Sequence, residues 1–246
     1  MTTLANRLAP IGLGVAIGCA LAMLVAGPGY RFGWWHYGIG IAMIAIVFWV
    51  AVGSAAVCAV ATVLATRVNA RRALVTSLAG LVIAGVTVWV PYDMRMTAAA
   101  LPVIHDITTD LTDPPEFVRV ATVRTPDDHP VAYDGPAVGA QQRKAYPDLA
   151  RLILKAPRDK VFAAAQSALV SMGLELVDAD AAQGRIEATA TSLLFGFKDD
   201  VVVRIAEDAD GTKVDVRSKS RVGRHDIGMN AKRIRAFLAK LKAAVG

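Results

Sequence analysis

The chain reads as three transmembrane helices followed by a two-layer α+β domain, in which two helices cover an antiparallel sheet. Three observations carry this reading. All 21 acidic residues lie after position 90. Three apolar runs fill the stretch before it. From residue 149 onward, short alternating segments follow in the order strand, helix, three or four strands, helix.

The apolar runs cover residues 9–26, 35–65 and 73–90. A span needs roughly 20 apolar residues, so all three qualify, and the second is long enough to tilt. A carboxylate at the centre of a bilayer costs several kcal/mol, which explains why Asp and Glu are missing from this region. Its only charged side chains are Arg7, Arg31, Arg67, Arg71 and Arg72. No span carries an ionisable group at its centre, as proton relays and ion paths require, so the spans read as an anchor. Ala20-Leu21-Ala22 offers a cleavage pattern, but the apolar run continues past it, and the first span is expected to be retained. Gly14 and Gly18 form a small-xxx-small pair through which a homo-oligomer can pack.

Arg67, Arg71 and Arg72 crowd one short link, which the positive-inside bias places in the cytoplasm together with Arg7. Tyr30, Trp34, Trp35, Tyr37, Trp89 and Tyr92 then form an aromatic belt at the opposite interface. Three spans place everything after Val90 outside the cytoplasm. The expected location is a bacterial inner membrane, with a cytoplasmic N-terminus and a periplasmic C-terminal domain.

The net charge of +6 divides unevenly: +5 before residue 91, and 22 bases against 21 acids after it. The basic pI is therefore mainly a property of the membrane links, and no nucleic-acid partner is expected. Both cysteines, Cys19 and Cys58, fall in apolar runs, so the water-side region has neither a disulfide framework nor a cysteine metal site.

Residues 91–148 are rich in Pro, Asp and Thr, with nine acids against five bases, and are expected to form an extended, loop-rich segment. In residues 149–246, Pro157 and Asp159 open a helix whose apolar stripe is Val161, Phe162, Ala165, Leu169 and Met172. Gly173 closes it. Alternating segments and an Asp210-Gly211 turn follow, leading to a strand from Lys213 to Arg221. Val214, Val216, Ser218 and Ser220 share one face of that strand, and Lys213, Asp215, Arg217, Lys219 and Arg221 share the other. A final helix carries Ile234, Phe237, Leu238 and Leu241 on one side and Lys232, Arg233, Arg235, Lys240 and Lys242 elsewhere. Residues 211–246 hold ten bases and two acids, the one strongly charged patch expected of the domain.

Two segments carry a family resemblance. One is Ile104-His105-Asp106-Ile107-Thr108-Thr109-Asp110 with Asp113-Pro114-Pro115-Glu116-Phe117. The other is Arg217-Ser218-Lys219-Ser220-Arg221-Val222-Gly223-Arg224, running into Asp226-Ile227-Gly228-Met229-Asn230 and Arg233-Ile234. Phe197-Lys198-Asp199-Asp200-Val201 lies between them. Together they resemble the bacterial and plastid family known as domain of unknown function 1499, in a membrane-anchored member. The resemblance implies no reaction and no cofactor. The order of elements is also similar to helix-grip domains, a likeness of fold alone.

The candidate binding residues are Arg217, Arg221, Arg224, Asp226, Asn230, Arg233, Asp199, Asp200, His105, Asp106 and Asp110. Guanidinium forks suit phosphate and carboxylate, so the arginines can grip an anionic lipid or an envelope protein. For Arg217 and Arg221 the expectation is internal pairing with Asp199, Asp200 or the acidic segment. A second function class is a metal-dependent hydrolase, should His105, Asp106 and His225 meet. A third is a membrane scaffold whose domain is only structural. Asp226 is also a natural helix cap, and Leu193-Leu194-Phe195-Gly196-Phe197 is an apolar turn expected to be covered. No catalytic residue and no metal ligand set is assigned.

Overall fold

A computed structural model describes residues 1–246, and the chain divides into two compact units. One comprises Met1–Thr97 with Leu193–Gly196, the other Ala98–Ser192 with Phe197–Gly246.

The first unit is built on α1 (Thr2–Arg31), α2 (Tyr37–Arg67) and α3 (Arg71–Ala100), each long and apolar enough to cross a membrane. Lipid offers no hydrophobic drive for helix association, so close approach and polar bonds must supply it. Small side chains line the contacts: Gly12, Ala16 and Cys19 of α1, Ser54, Cys58 and Ala61 of α2, and Ser77, Gly80 and Ala84 of α3 are buried. A Cβ added at Gly12 or Gly80 would lie 2.5 Å from the Cys58 sulfur, so neither position accepts a larger residue without movement. The Ser54 hydroxyl donates to the Gly12 carbonyl at 2.8 Å, and the Thr62 hydroxyl to the Ser77 hydroxyl, also at 2.8 Å. Gly14 and Gly18 point elsewhere; nothing lies within 4 Å of a Cβ at either. The third helix passes through Pro91, where an extended segment was expected, and ends at Ala100. Proline removes one backbone donor, and the helix-forming residues after it continue the helix.

In the second unit, β1 (Asp106–Thr108), β2 (Leu152–Leu154), β3 (Glu175–Asp180), β4 (Arg185–Thr191), β5 (Lys198–Asp208) and β6 (Gly211–Ser220) form one antiparallel sheet. Its order is β1-β6-β5-β4-β3, with β2 beside β1 on the same edge of β6. Thr109 bridges the gap between these two short strands: its N–H donates to the Val216 carbonyl, and its hydroxyl accepts from the Val216 N–H, both at 2.9 Å. β6 is thereby paired on both sides along most of its length.

Two helices, α5 (Arg158–Ser171) and α6 (Met229–Val245), cover one face of the sheet. α5 ends in a Schellman motif, in which Leu174 N–H reaches the Leu169 carbonyl, Gly173 N–H reaches Val170, and Gly173 takes a positive φ of 80°. The core beneath these helices joins Val161, Phe162 and Leu169 to Ile234, Phe237 and Leu241, over Ile107, Val201, Val203, Ile205, Val214 and Val216. Each such side chain contributes roughly 1.5–3 kcal/mol on burial. The opposite face is covered by residues 109–135, which include a 3₁₀ turn (Val120–Thr122) and lead into α4 (Pro136–Ala145). Phe117 and Val120 pack there on Val202. The segment expected to be loop-rich therefore supplies an edge strand, a helix and the second cover of the sheet.

Candidate functional site

The alternation read from the β6 sequence sets up two opposite environments. Val214, Val216, Ser218 and Ser220 turn toward the helices, while Asp215, Arg217, Lys219 and Arg221 turn toward residues 109–135. Arg217 is 2% exposed and Lys219 is fully buried, so this basic face of the strand is covered rather than open to solvent. Buried charge persists only when paired and hydrogen-bonded, and each of these groups is.

Arg217 grips Asp106 with two parallel bonds of 2.8 Å, from Nε to Oδ1 and from Nη2 to Oδ2. It also donates to the carbonyls of Pro115 and Val131, and it lies over the rings of Phe117 and Tyr133. Lys219 donates to the Ala132 carbonyl and to Asp134 Oδ1, both at 2.6 Å, with Asp106 Oδ2 at 3.2 Å. Arg221 grips Asp200 in the same two-pronged way, at 2.9 Å for each bond. Burial works against the Arg221 charge, and the bonds to Asp200 outweigh it, so its pKa rises above the ordinary value. Arg124 joins the same carboxylate at 2.9 Å, and Thr189 donates to it at 2.7 Å.

Further along the face, Asp215 and Asp110 share Arg151 and Arg204, and Asp113 bonds Arg204. Burial pushes the Asp110 carboxyl up. The N–H groups of Asp113 and Thr112, with Arg151 and Arg204, outweigh that and hold it below the usual carboxylate range. Glu187, fully buried, accepts from the backbone N–H groups of Val118, Arg119 and Val120 at 2.8, 3.1 and 2.6 Å. A cleft of about 490 Å³ opens at the end of this face between Asp113, Pro115, Glu116, Arg185 and Arg204.

On the helix side, Ser218 donates to Asn230 Oδ1 at 2.6 Å, and Asn230 donates to the His105 carbonyl and to Ser220. Arg233 donates to Ser218 and Asn230 and pairs with Asp199 at 2.7 Å. Asp226 accepts from the N–H groups of Gly228 and Asn230 at the entry to α6, but the N-cap position itself, expected at Asp226, is taken by Gly228 in a left-handed conformation.

The candidate residues thus fall into separate internal pairs: Asp106 with Arg217, Asp200 with Arg221, Asp199 with Arg233, and Asp110 with Arg151 and Arg204. Arg224 alone of the candidate arginines is exposed and makes no ion pair. His105, Asp106 and His225 do not assemble as metal ligands. No group of three or more His, Cys, Asp and Glu side chains is arranged to hold an ion. His225 accepts from Ile227 N–H at Nδ1, which leaves Nε2 to donate to the Ala98 carbonyl at 2.9 Å. His105 instead stacks on His129, with ring centroids 4.3 Å apart, and its Nε2 lies 3.4 Å from Asp134.

Sequence reasoning did not single out Lys219, Asp215 or Glu187 as paired groups, although their places in alternating strands signal a shared face. Arg124 and Asp134 lie in irregular chain and give no such signal. Nor is the apolar turn covered within the α+β domain: Leu193 is 84% and Leu194 54% exposed. A search among curated proteins finds no significant match. The paired strands and most of α6 lie inside a match, over residues 106–241, to the family described as protein of unknown function (DUF1499). The chain belongs to that family, and three helices long and apolar enough to cross a membrane precede the matched region.

Proposed function

We propose that this chain is a membrane-anchored binding module of the bacterial cell envelope. Its spans hold the α+β domain outside the cytoplasm, and its exposed bases receive an anionic partner. The crowding of Arg67, Arg71 and Arg72 at one link supports the orientation, with the aromatic residues at the other interface. An alkaline phosphatase fused after Gly246 is expected to be active; an inactive phosphatase with a fluorescent cytoplasmic reporter would refute the orientation.

One observation carries the binding reading. Once the strand bases are paired internally, Arg224 at the entry to α6 and Lys232, Lys240 and Lys242 along its solvent side remain exposed without ion pairs. Each base near an anionic surface contributes about 1 kcal/mol. The test uses the full chain in phosphatidylcholine nanodiscs, floated with vesicles of phosphatidylglycerol or of phosphatidylcholine. Co-flotation with the anionic vesicles is expected, and its loss on combining Arg224→Glu, Lys232→Glu, Lys240→Glu and Lys242→Glu. A variant that floats like the parent while keeping its circular dichroism defeats the reading. If the parent floats with neither vesicle, the lipid form fails. The acidic-protein form then requires the same variant to lose crosslinked partners in whole cells.

A further inference from the structure

The three hairpin turns of the sheet differ in chemistry. The β3–β4 turn ends in Gln183-Gly184, and the β5–β6 turn is Ala209-Asp210. The β4–β5 turn is Leu193-Leu194-Phe195-Gly196, closed by Ser192 N–H to the Phe197 carbonyl at 2.8 Å and Phe197 N–H to the Ser192 hydroxyl at 2.9 Å. Gly196, at a φ of +70°, makes the reversal. The leucines are not needed to close this turn. They are also the only two adjacent large apolar residues exposed between positions 98 and 246. Their shoulders, Thr191, Ser192 and Lys198, are polar and exposed.

Leu193–Gly196 belong to the same compact unit as the spans. There, Arg31 Nη1 donates to the Leu193 carbonyl at 2.6 Å. Two helix glycines leave room for the turn. A Cβ at Gly27 would lie 3.0 Å from the Phe195 ring, and one at Gly40 would lie 3.1 Å from it. Arg31 stands amid Tyr30, Phe32, Trp34 and Trp35, at the end of α1 where aromatic side chains concentrate, as they do at a membrane–water interface. Phe32 and Trp34 are themselves exposed.

We infer that the β4–β5 turn is an interfacial anchor: Leu193 and Leu194 enter the headgroup–acyl boundary of the bilayer that α1–α3 span, and Phe195 and Arg31 hold the turn there. The partner is the lipid of that membrane. An exposed leucine pair on a polar-shouldered tip gains by leaving water, and the interface also accommodates the polar shoulders.

The test uses the full chain in phosphatidylcholine vesicles, with Cys19→Ala and Cys58→Ala, and an environment-sensitive NBD label on Leu193→Cys or on Asp210→Cys. The label at 193 is expected to emit to the blue of the label at 210, and to lose emission when lipids bearing a nitroxide near the headgroup are added. Matching aqueous spectra at the two positions would overturn the inference. So would a blue-shifted label at 193 that the nitroxide lipid leaves bright, because that places the turn against protein. The charge-reversed α6 variant is expected to keep the quenching at 193, so this result stands or falls apart from the binding reading.

Discussion

The two faces of the sheet solve one problem with opposite chemistry. Beneath α5 and α6, side chains such as Phe237, Leu241, Val203 and Val216 exclude water by apolar packing. Beneath residues 109–135, Asp106, Arg217, Lys219, Asp200 and Arg221 are equally buried, yet hold their cover through charge-assisted hydrogen bonds. Apolar packing is forgiving about angle, whereas a two-pronged guanidinium–carboxylate pair is not. The difference teaches that an irregular, proline-rich segment with few apolar residues can be seated by directional bonds. Carbonyls of Pro115, Val131 and Ala132, and N–H groups of residues 118–120, find their partners on the sheet.

Shape-preserving substitutions break this comparison most sharply. Asp106→Asn keeps the volume but leaves Arg217 and Lys219 buried beside an uncharged amide, and is expected to cost about 3–5 kcal/mol. Leu241→Met, on the apolar face, is expected to cost less than about 1.5 kcal/mol. Denaturant unfolding of the full chain in detergent micelles measures both. Equal costs would mean that the two faces do not differ in tolerance.

A smaller effect comes from pH and touches only the charged face. Burial pulls the His105 pKa below its ordinary value, with His129 and Lys219 acting in the same sense and Asp134 and Asp106 against it. The folded state therefore favours the neutral ring. As pH falls below about 6.5 the unfolded chain takes up the proton first, so stability is intact above that pH and declines beneath it. His105→Gln is expected to flatten the fall in melting temperature between about pH 7 and pH 5. An unchanged slope would assign the loss to other groups. Asp110, with its lowered pKa, adds a separate loss only in the carboxylate range.

The smallest effect belongs to a pair outside both covers. Arg235 and Asp148 form a two-pronged bridge at 2.6 and 2.8 Å, but their side chains are 43% and 55% exposed. Solvent screens such a pair, and Arg235→Gln is expected to cost about 0.2–1 kcal/mol, including the stacking of the guanidinium over the Tyr146 ring. A cost comparable to that of Asp106→Asn would contradict the role assigned to burial.

Much of this architecture is legible in the residues. The spans follow from missing carboxylates, the end of α5 from Gly173, and the two-faced β6 from strict alternation between Lys213 and Arg221. The site is less legible. Arg217 and Asp106 lie 111 positions apart, and Arg124 and Asp200 lie 76 apart. Nothing local joins the members of either pair. Arg217 and Lys219 of β6 look like Lys232, Lys240 and Lys242 of α6 in sequence, although the first two are buried and the other three are exposed. His105 and His225 look like partners because both precede Asp. Their backbone surroundings send them to different neighbours.

Composition and periodicity by themselves determined that a membrane anchor precedes an α+β domain, and which side chains share a strand face. Those properties are local: hydrocarbon rejects carboxylates at each position, and pleating alternates at every residue. Only the tertiary structure decided that the basic face of β6 is an interior and that the apolar β4–β5 turn is not. Burial depends on what the rest of the chain lays over a surface, and that cover comes from residues far along the sequence.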